Sequence, residues 1–371
     1  MGYLHRMRFG KREFMKVLFF ILTLWSSANY ACTDFILKAK DGTWVNGRSL
    51  EFAMDLQTKF RVFPRSQRVS SQGPNQKKGI SWVSKYGYLG VTGMGMNFSF
   101  DGMNEKGLSF GYLWLPGITE YPEGSEKALD FIDLGAWVLG NFSQISEVKE
   151  ALKQISVWGH PVPPLPGVPP VHATIHDAQG NSLVVEFIKG QMKVHDNPIG
   201  ILTNSPAFDW HMMNLTNYLQ LSPTNAAPLQ QNGVMLTPLG QGSGMVGIPG
   251  DWTPASRFVR MTTQLRYVSE VVSTLDAVNL AEHLLNTVDI PLGLVRDTKQ
   301  GSDYTQWAVI KDLSHQVFYF RSYKDLTLKM IDLKKLNFET GSAEGISVNL
   351  AKGYVDVTQE FLRASTTCTQ R

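Results

Sequence analysis

A hydrophobic run that stops at Ala31-Cys32, and gives way at once to strand-like sequence, constrains this chain more than any other feature. Arg6, Arg8, Lys11, Arg12 and Lys16 precede the uncharged stretch from Val17 to Trp25. That stretch is too short to span a bilayer and has the length of the apolar part of a secretory signal. Ala31 supplies the small residue ahead of a cut, while Asn29 at the minus-three position departs from the usual small side chain. Met15 would serve as an alternative start with a more compact leader. Lipid attachment at Cys32 would want Leu three residues earlier, where Asn29 stands. The reading is therefore a signal peptide over 1–31, removed on export, and one domain over 32–371 that begins at Cys32, in the periplasm or secreted.

A cysteine at a mature N-terminus brings its own base. The thiol titrates near 8.5 and must be activated, whereas an α-amine titrates near ~7.7–8.0 and is in part free at neutral pH. Nucleophile and proton acceptor then sit on one residue, which predicts an N-terminal-nucleophile amide hydrolase. The segment Thr33–Ala39, the Asp41-Gly42 turn and the run Thr43–Arg48 read as a hairpin. The turn folds Arg48 back beside the cysteine strand, where its charge would lower the thiol pKa. Glu51 would accept a hydrogen bond from the α-amino group.

The excess of 35 Lys and Arg over 32 Asp and Glu belongs to the leader. Without its five basic residues and one acidic residue the remainder holds 30 against 31, a formal charge of −1. Nothing in that balance suits nucleic acid or an anionic membrane surface. Past the leader no segment reaches ~18 consecutive apolar residues, so no membrane anchor is expected. The only other cysteine is Cys368, in the polar tail; a disulfide to Cys32 is the alternative to a free nucleophile.

Along the chain, further strand-like runs lie at 60–63, 88–93 and 108–115. A helical pattern covers 128–155, broken near Gly140-Asn141, with Ser143 or Ser146 as the cap of its second half. The Pro-rich stretch 161–170 interrupts regular structure. Strands follow at 171–176, 182–188, 191–195 and 200–203, helices at 207–219, 254–268 and 274–285, and strands at 305–310, 317–321 and 327–332. Blocks of strands and helices without a βαβα rhythm favour an α+β fold with antiparallel sheets. Gly242–Gly247 fits G-x-G-x-x-G, but Pro249-Gly250 follows, so no helix can open where a pyrophosphate would bind. His172 and His176 have metal-like spacing in a strand-like run, which does not suit a helical zinc motif.

Several segments resemble the choloylglycine hydrolase family, which includes bile salt hydrolases and penicillin V acylases. They are Cys32-Thr33, Gly47–Glu51, Pro64-Arg65, Asp101–Leu108, Asn141–Leu152, Gly200–His211 and Leu239–Phe258, in order over nearly all of the chain after the leader. The resemblance implies a four-layer αββα N-terminal-nucleophile fold with two antiparallel sheets, and activity on a linear amide bond without metal or cofactor. By position it implies Cys32 as nucleophile, Arg48 as the arginine beside the thiol, Asn204 as the oxyanion-binding asparagine and Arg257 as the second site arginine. Two positions depart from the pattern: Glu51 stands where Asp is usual, and Trp114 where bile salt hydrolases usually carry Asn. Trp114 would add an aromatic wall for substrate. These departures and the leader look similar to the Gram-negative branch, with penicillin V and N-acyl-homoserine lactone acylases, and imply a small amphipathic N-acyl amide as substrate. Conjugated bile salts are the alternative substrate, and an inactive acyl-ligand-binding homologue the alternative from another class. The segment 221–239 matches in length the loop by which family members assemble, which implies a homotetramer.

Overall fold

A computed structural model describes residues 31–165, 167–297, 301–342, 344–350 and 354. Residues 1–30, where most of the expected signal peptide falls, and the tail with Cys368 lie outside the described residues. In chain order the main strands are β1 (Cys32–Lys38), β2 (Trp44–Phe52), β3 (Lys59–Phe63), β4 (Tyr88–Thr92), β5 (Asp101–Asn104) and β6 (Ser109–Trp114). Next come β7 (Val171–His176), β8 (Ser182–Ile188), β9 (Gln191–Asp196), β10 (Ile201–Leu202), β11 (Val295–Asp297) and β12 (Gly301–Asp312). The last are β13 (Val317–Ser322), β14 (Asp325–Asp332) and β15 (Ile346–Ser347). The helices are α1 (Phe131–Asn141), α2 (Ile145–Leu152), α3 (Phe208–Asn214), α4 (Pro254–Tyr267) and α5 (Thr274–Asn286).

These strands build two antiparallel sheets. The first runs β10-β1-β2-β12-β13-β14, with β11 paired to β12. The second runs β9-β8-β7-β6-β5-β4-β3-β15. Helix α1 packs on β5 and β6 of the second sheet, while α4 and α5 pack on β1, β2 and β12 of the first. The result is the expected αββα stack. Gly102 and Gly135 let α1 approach closely: a Cβ on Gly102 would lie 2.9 Å from the Leu139 side chain, and one on Gly135 3.0 Å from Phe110. Both sheets are buried on two faces, so β1, β2, β6, β7 and β8 read as nearly continuous buried runs instead of alternating ones. Among the described residues no helix is long and apolar enough to cross a membrane.

The hairpin expected at Asp41-Gly42 forms, with Gly42 at φ +91° and Asp41 Oδ1 accepting from the Thr43 backbone N–H at 2.9 Å. Its register sets Cys32 opposite Leu50 and Asp34 opposite Arg48. The 128–155 pattern opens as a short strand (Ala128–Asp130) before α1. Its second helix starts at Ile145 with Gln144 at the cap. Of the two residues expected there, Ser146 lies inside the helix, and Ser143 donates from its backbone N–H (2.7 Å) and hydroxyl (3.0 Å) to the Glu147 carboxylate. The Gly242–Gly247 stretch holds one 3₁₀ turn, Ser243–Met245, and no helix follows it until Pro254.

Candidate functional site

Cys32 is 4% exposed at the start of β1, with β2 on one side and β10 joining the strand further along the other. Side chains alternate between the faces of a strand, so residues an odd number apart part company. Arg48 and Cys32 face the second sheet. Glu51 and Thr33 face α4.

On the inter-sheet side the Arg48 guanidinium is fully buried. It donates to Asp101 Oδ2 and to the carbonyl oxygens of Phe100 and Tyr112. Lys311 Nζ lies 2.8 Å from the other Asp101 oxygen. Gly111 makes this possible, since a Cβ there would come within 2.6 Å of Arg48 Nη1. His176 Nε2 meets Asp34 Oδ1 at 2.6 Å, and that carboxyl is held below its usual range by His176 and Lys311 although burial pushes it up.

On the helix side Arg257, on α4 and fully buried, donates to the Cys32 carbonyl, to Thr33 Oγ1 (2.7 Å) and, through Nη2, to Asn204 Oδ1 (2.7 Å). The same Asn204 oxygen accepts the Cys32 backbone N–H at 2.7 Å. Asn204 Nδ2 donates to the Trp114 carbonyl at 2.8 Å. Two donors on the oxygen and an acceptor at the nitrogen leave one orientation for this amide, with a second amide hydrogen uncommitted. The contact expected between Glu51 and the Cys32 nitrogen is absent; Asn204 makes it. Glu51 Oε1 accepts from Thr305 Oγ1 at 2.9 Å, and Oε2 has no hydrogen-bond partner. Burial pushes the Glu51 carboxyl up to about 7, against the pull of Arg257.

Burial also pushes the Cys32 thiol above its ordinary value. Arg48 pulls it down, as the sequence suggested, as do Arg257 and the Glu51 backbone N–H, but these do not overcome desolvation and the opposing Glu51 charge. The thiol is thus mostly protonated at neutral pH and needs a base. Ala31 is buried, and its carbonyl accepts from the Glu51 N–H at 2.9 Å.

Residues that sequence reading missed stand behind Asn204. His172 Nε2 lies 2.9 Å from the Thr203 carbonyl and Nδ1 3.2 Å from Glu186 Oε1. Both ring nitrogens are thus engaged by partners within the fold. Glu186 also takes the Phe208 backbone N–H at 3.0 Å. Burial alone would push its carboxyl up, but His172 and His195 hold it down at about 2. His211 Nε2 donates to the Asn204 carbonyl at 2.8 Å, and burial lowers its pKa to about 4. The spacing of His172 and His176 gave no sign of this; the signal was two histidines in an otherwise apolar strand, each needing a buried partner. Among the described residues no group of three or more His, Cys, Asp or Glu converges as a metal site.

Beside Cys32 opens an apolar cavity walled by Leu50, Phe52, Phe100, Tyr112 and Trp114. Trp114 packs edge-on to Phe52 at 5.8 Å, so it is both core and cavity wall.

This arrangement agrees with the comparisons. The family model for linear amide C–N hydrolases, choloylglycine hydrolase family, matches residues 32–347. A bile salt hydrolase/transferase of Clostridium perfringens is 36% identical over 319 residues, 83% of this chain and 94% of that protein. A penicillin V acylase of Pectobacterium atrosepticum is 26% identical over 354 residues, 89% of this chain and 88% of that one. The crystal structure of a mutant conjugated bile acid hydrolase from Clostridium perfringens superposes with a TM-score of 0.78 at 32% identity, covering 88% and 99% of the two chains. The chain therefore belongs to the linear amide C–N hydrolases of the choloylglycine hydrolase family.

Proposed function

We propose that the chain is exported by its leader to the periplasm or beyond, begins at Cys32 once cut, and hydrolyses the amide of a small amphipathic N-acyl substrate of the penicillin V or N-acyl-homoserine lactone kind. The observation that carries this reading is the convergence of the Cys32 nitrogen and Arg257 on one oxygen of Asn204, beside an apolar cavity.

In this scheme the Cys32 sulfur attacks the carbonyl carbon and its proton passes to the α-amine. The carbonyl becomes an oxyanion, held by the free Asn204 Nδ2–H and a backbone N–H. The C–N bond then breaks, and the leaving amine takes the proton from the α-ammonium. Water attacks the thioester with the α-amine again as base, releasing the acid. Arg48 favours the thiolate through space, and Arg257 locks Asn204 and the Cys32 carbonyl. Glu51 acts at one remove, offsetting Arg257 on the helix face. Trp114 bounds the acyl group. No metal or cofactor enters the scheme.

Conjugated bile salts are the second reading, favoured by the 36% identity to a bile salt hydrolase/transferase. Release of phenoxyacetate from penicillin V, homoserine lactone from a long-chain N-acyl derivative, and glycine from glycocholate are measured side by side, with Cys32→Ser as control. Glycine release as the fastest reaction would replace the first reading by the second. Inertness toward all three, together with iodoacetamide labelling of Cys32 at pH 6 no faster than a free thiol, would leave an acyl-ligand-binding homologue.

A further inference from the structure

Two cavities share one side chain. The inner one, at Cys32, has about 570 Å³ of free space with its mouth included. The outer one, about 1430 Å³ on the same basis, is lined by Val62, Phe63, Met96, Ile132 and Ala136, with Arg61 among its polar residues. Phe98 lines both. The rest of the partition is the first turn of α1, where Phe131 faces the inner cavity and Ile132 the outer.

The two parts of this wall differ in how firmly they are held. The helical turn is fixed by the Asp130 cap, whose Oδ1 accepts from the Ile132 N–H at 3.2 Å. Phe98 sits on the irregular segment between β4 and β5. That segment turns at Met94 (φ +56°) and Gly95 (φ +71°). Its backbone is tied by Met94 N–H to the Leu56 carbonyl (2.7 Å) and Met96 N–H to the Gly93 carbonyl (2.9 Å). It is pinned again at Ser99, whose carbonyl lies where Gly135 has no Cβ, 2.4 Å from an ideal Cβ position. Between these anchors Phe98 is half-buried, touching Phe100 edge-on at 6.0 Å. A side chain on a stretch with so few ladder bonds moves more readily than one on a sheet.

We propose that Phe98 is a specificity-determining partition of the acyl site, and that the chain takes long, largely apolar acyl groups which run past it from Cys32 into the outer groove. This rests on the acyl-hydrolase reading above. With the ring in place the acyl site ends at Phe98 and Phe100; with the ring displaced, the apolar side chains of Met96, Ile132 and Ala136 continue the same surface. The inner cavity is the smaller of the two and closes at Phe98, so alone it suits a short acyl group, and the joined pair a long one.

The test measures kcat/KM for N-hexanoyl- and N-dodecanoyl-homoserine lactone, which share one leaving group, in the wild type and in Phe98→Ala, Phe98→Leu and Phe98→Trp. Near-UV circular dichroism checks that each variant is folded. Phe98→Ala should raise the dodecanoyl-to-hexanoyl ratio by about tenfold, Phe98→Leu by less, and Phe98→Trp should lower it, in line with the ~10- to 200-fold that a methylene-sized change in an apolar pocket commands. A ratio unmoved by all three variants, or both substrates slowed equally, overturns the partition while leaving the hydrolase reading in place. A folded wild type that cleaves neither substrate overturns the long-acyl proposal, and the hydrolase reading falls with it only if penicillin V and glycocholate are also left uncleaved.

Discussion

Gly111→Ala tests how much of the site depends on a contact between the sheets. An ideal Cβ at this position lies 2.6 Å from Arg48 Nη1 and 3.0 Å from Asp101 Oδ2. The neighbours cannot yield cheaply, because the guanidinium is fully buried and holds Asp101, Phe100 and Tyr112 at once. Overpacking of this kind costs about 1–3 kcal/mol. Pushing the guanidinium off its carboxylate would leave buried charges unpaired, at about 3–5 kcal/mol. We therefore expect a loss of about 3 kcal/mol, or a Tm lowered by roughly 4 °C. Arg48 is also the strongest influence pulling the Cys32 thiol down, so its displacement should move the thiol pKa further up. Urea denaturation at pH 7 reads the first effect, and the pH dependence of iodoacetamide alkylation the second. Stability within about 0.5 kcal/mol of wild type, the range of an ordinary surface change, with superimposable alkylation profiles, would refute the argument.

Other predictions follow from the helix face and the layer behind Asn204. Asn204→Ala should lower kcat by about 10²- to 10³-fold, the usual loss of an oxyanion donor, in steady-state hydrolysis of whichever amide proves active. Glu51→Gln, lacking any contact to the Cys32 nitrogen to lose, should lower kcat by less than the ~10²-fold that a proton-transfer group supplies; a larger loss would restore the direct role expected from sequence. Glu186 is held at about 2 in the fold, below the ~4.3 of an unfolded chain. Its stabilising contribution is present above the unfolded value and lost as pH falls toward 2, roughly 3 kcal/mol in all. Denaturation midpoints of the wild type should thus fall more steeply than those of Glu186→Gln between pH 4.5 and 2. Parallel slopes would show that Glu186 makes no such contribution.

What was legible in the sequence was local. Asp41-Gly42 announced a hairpin, and a hairpin between two strand-like runs brings Arg48 beside the first strand whatever the rest of the chain does. The resemblance carried Asn204 and Arg257, which no local pattern would have joined to Cys32 across more than 170 residues. Glu51 shows where local reading fell short. It lies three residues from Arg48, and a strand places such residues on opposite faces. Its carboxylate therefore faces α4 and Thr305, while the Cys32 nitrogen finds Asn204. The partners of Arg48 were out of reach for another reason: Asp101 and Gly111 come from the second sheet, and nothing near Arg48 in sequence records which strands will face it. Ser143 was the reasonable helix cap by residue type, yet the turn before α2 uses its hydroxyl to hold Glu147.

The central claim is that Cys32, as the first residue of the working chain, carries the acyl group. The most direct measurement is the intact mass of enzyme quenched in acid during turnover, followed by peptide mapping. The account predicts a chain beginning at Cys32 plus one acyl group on that residue, and no such adduct in Cys32→Ala. An active enzyme that retains residues ahead of Cys32, or an acyl group on any other side chain, would contradict it.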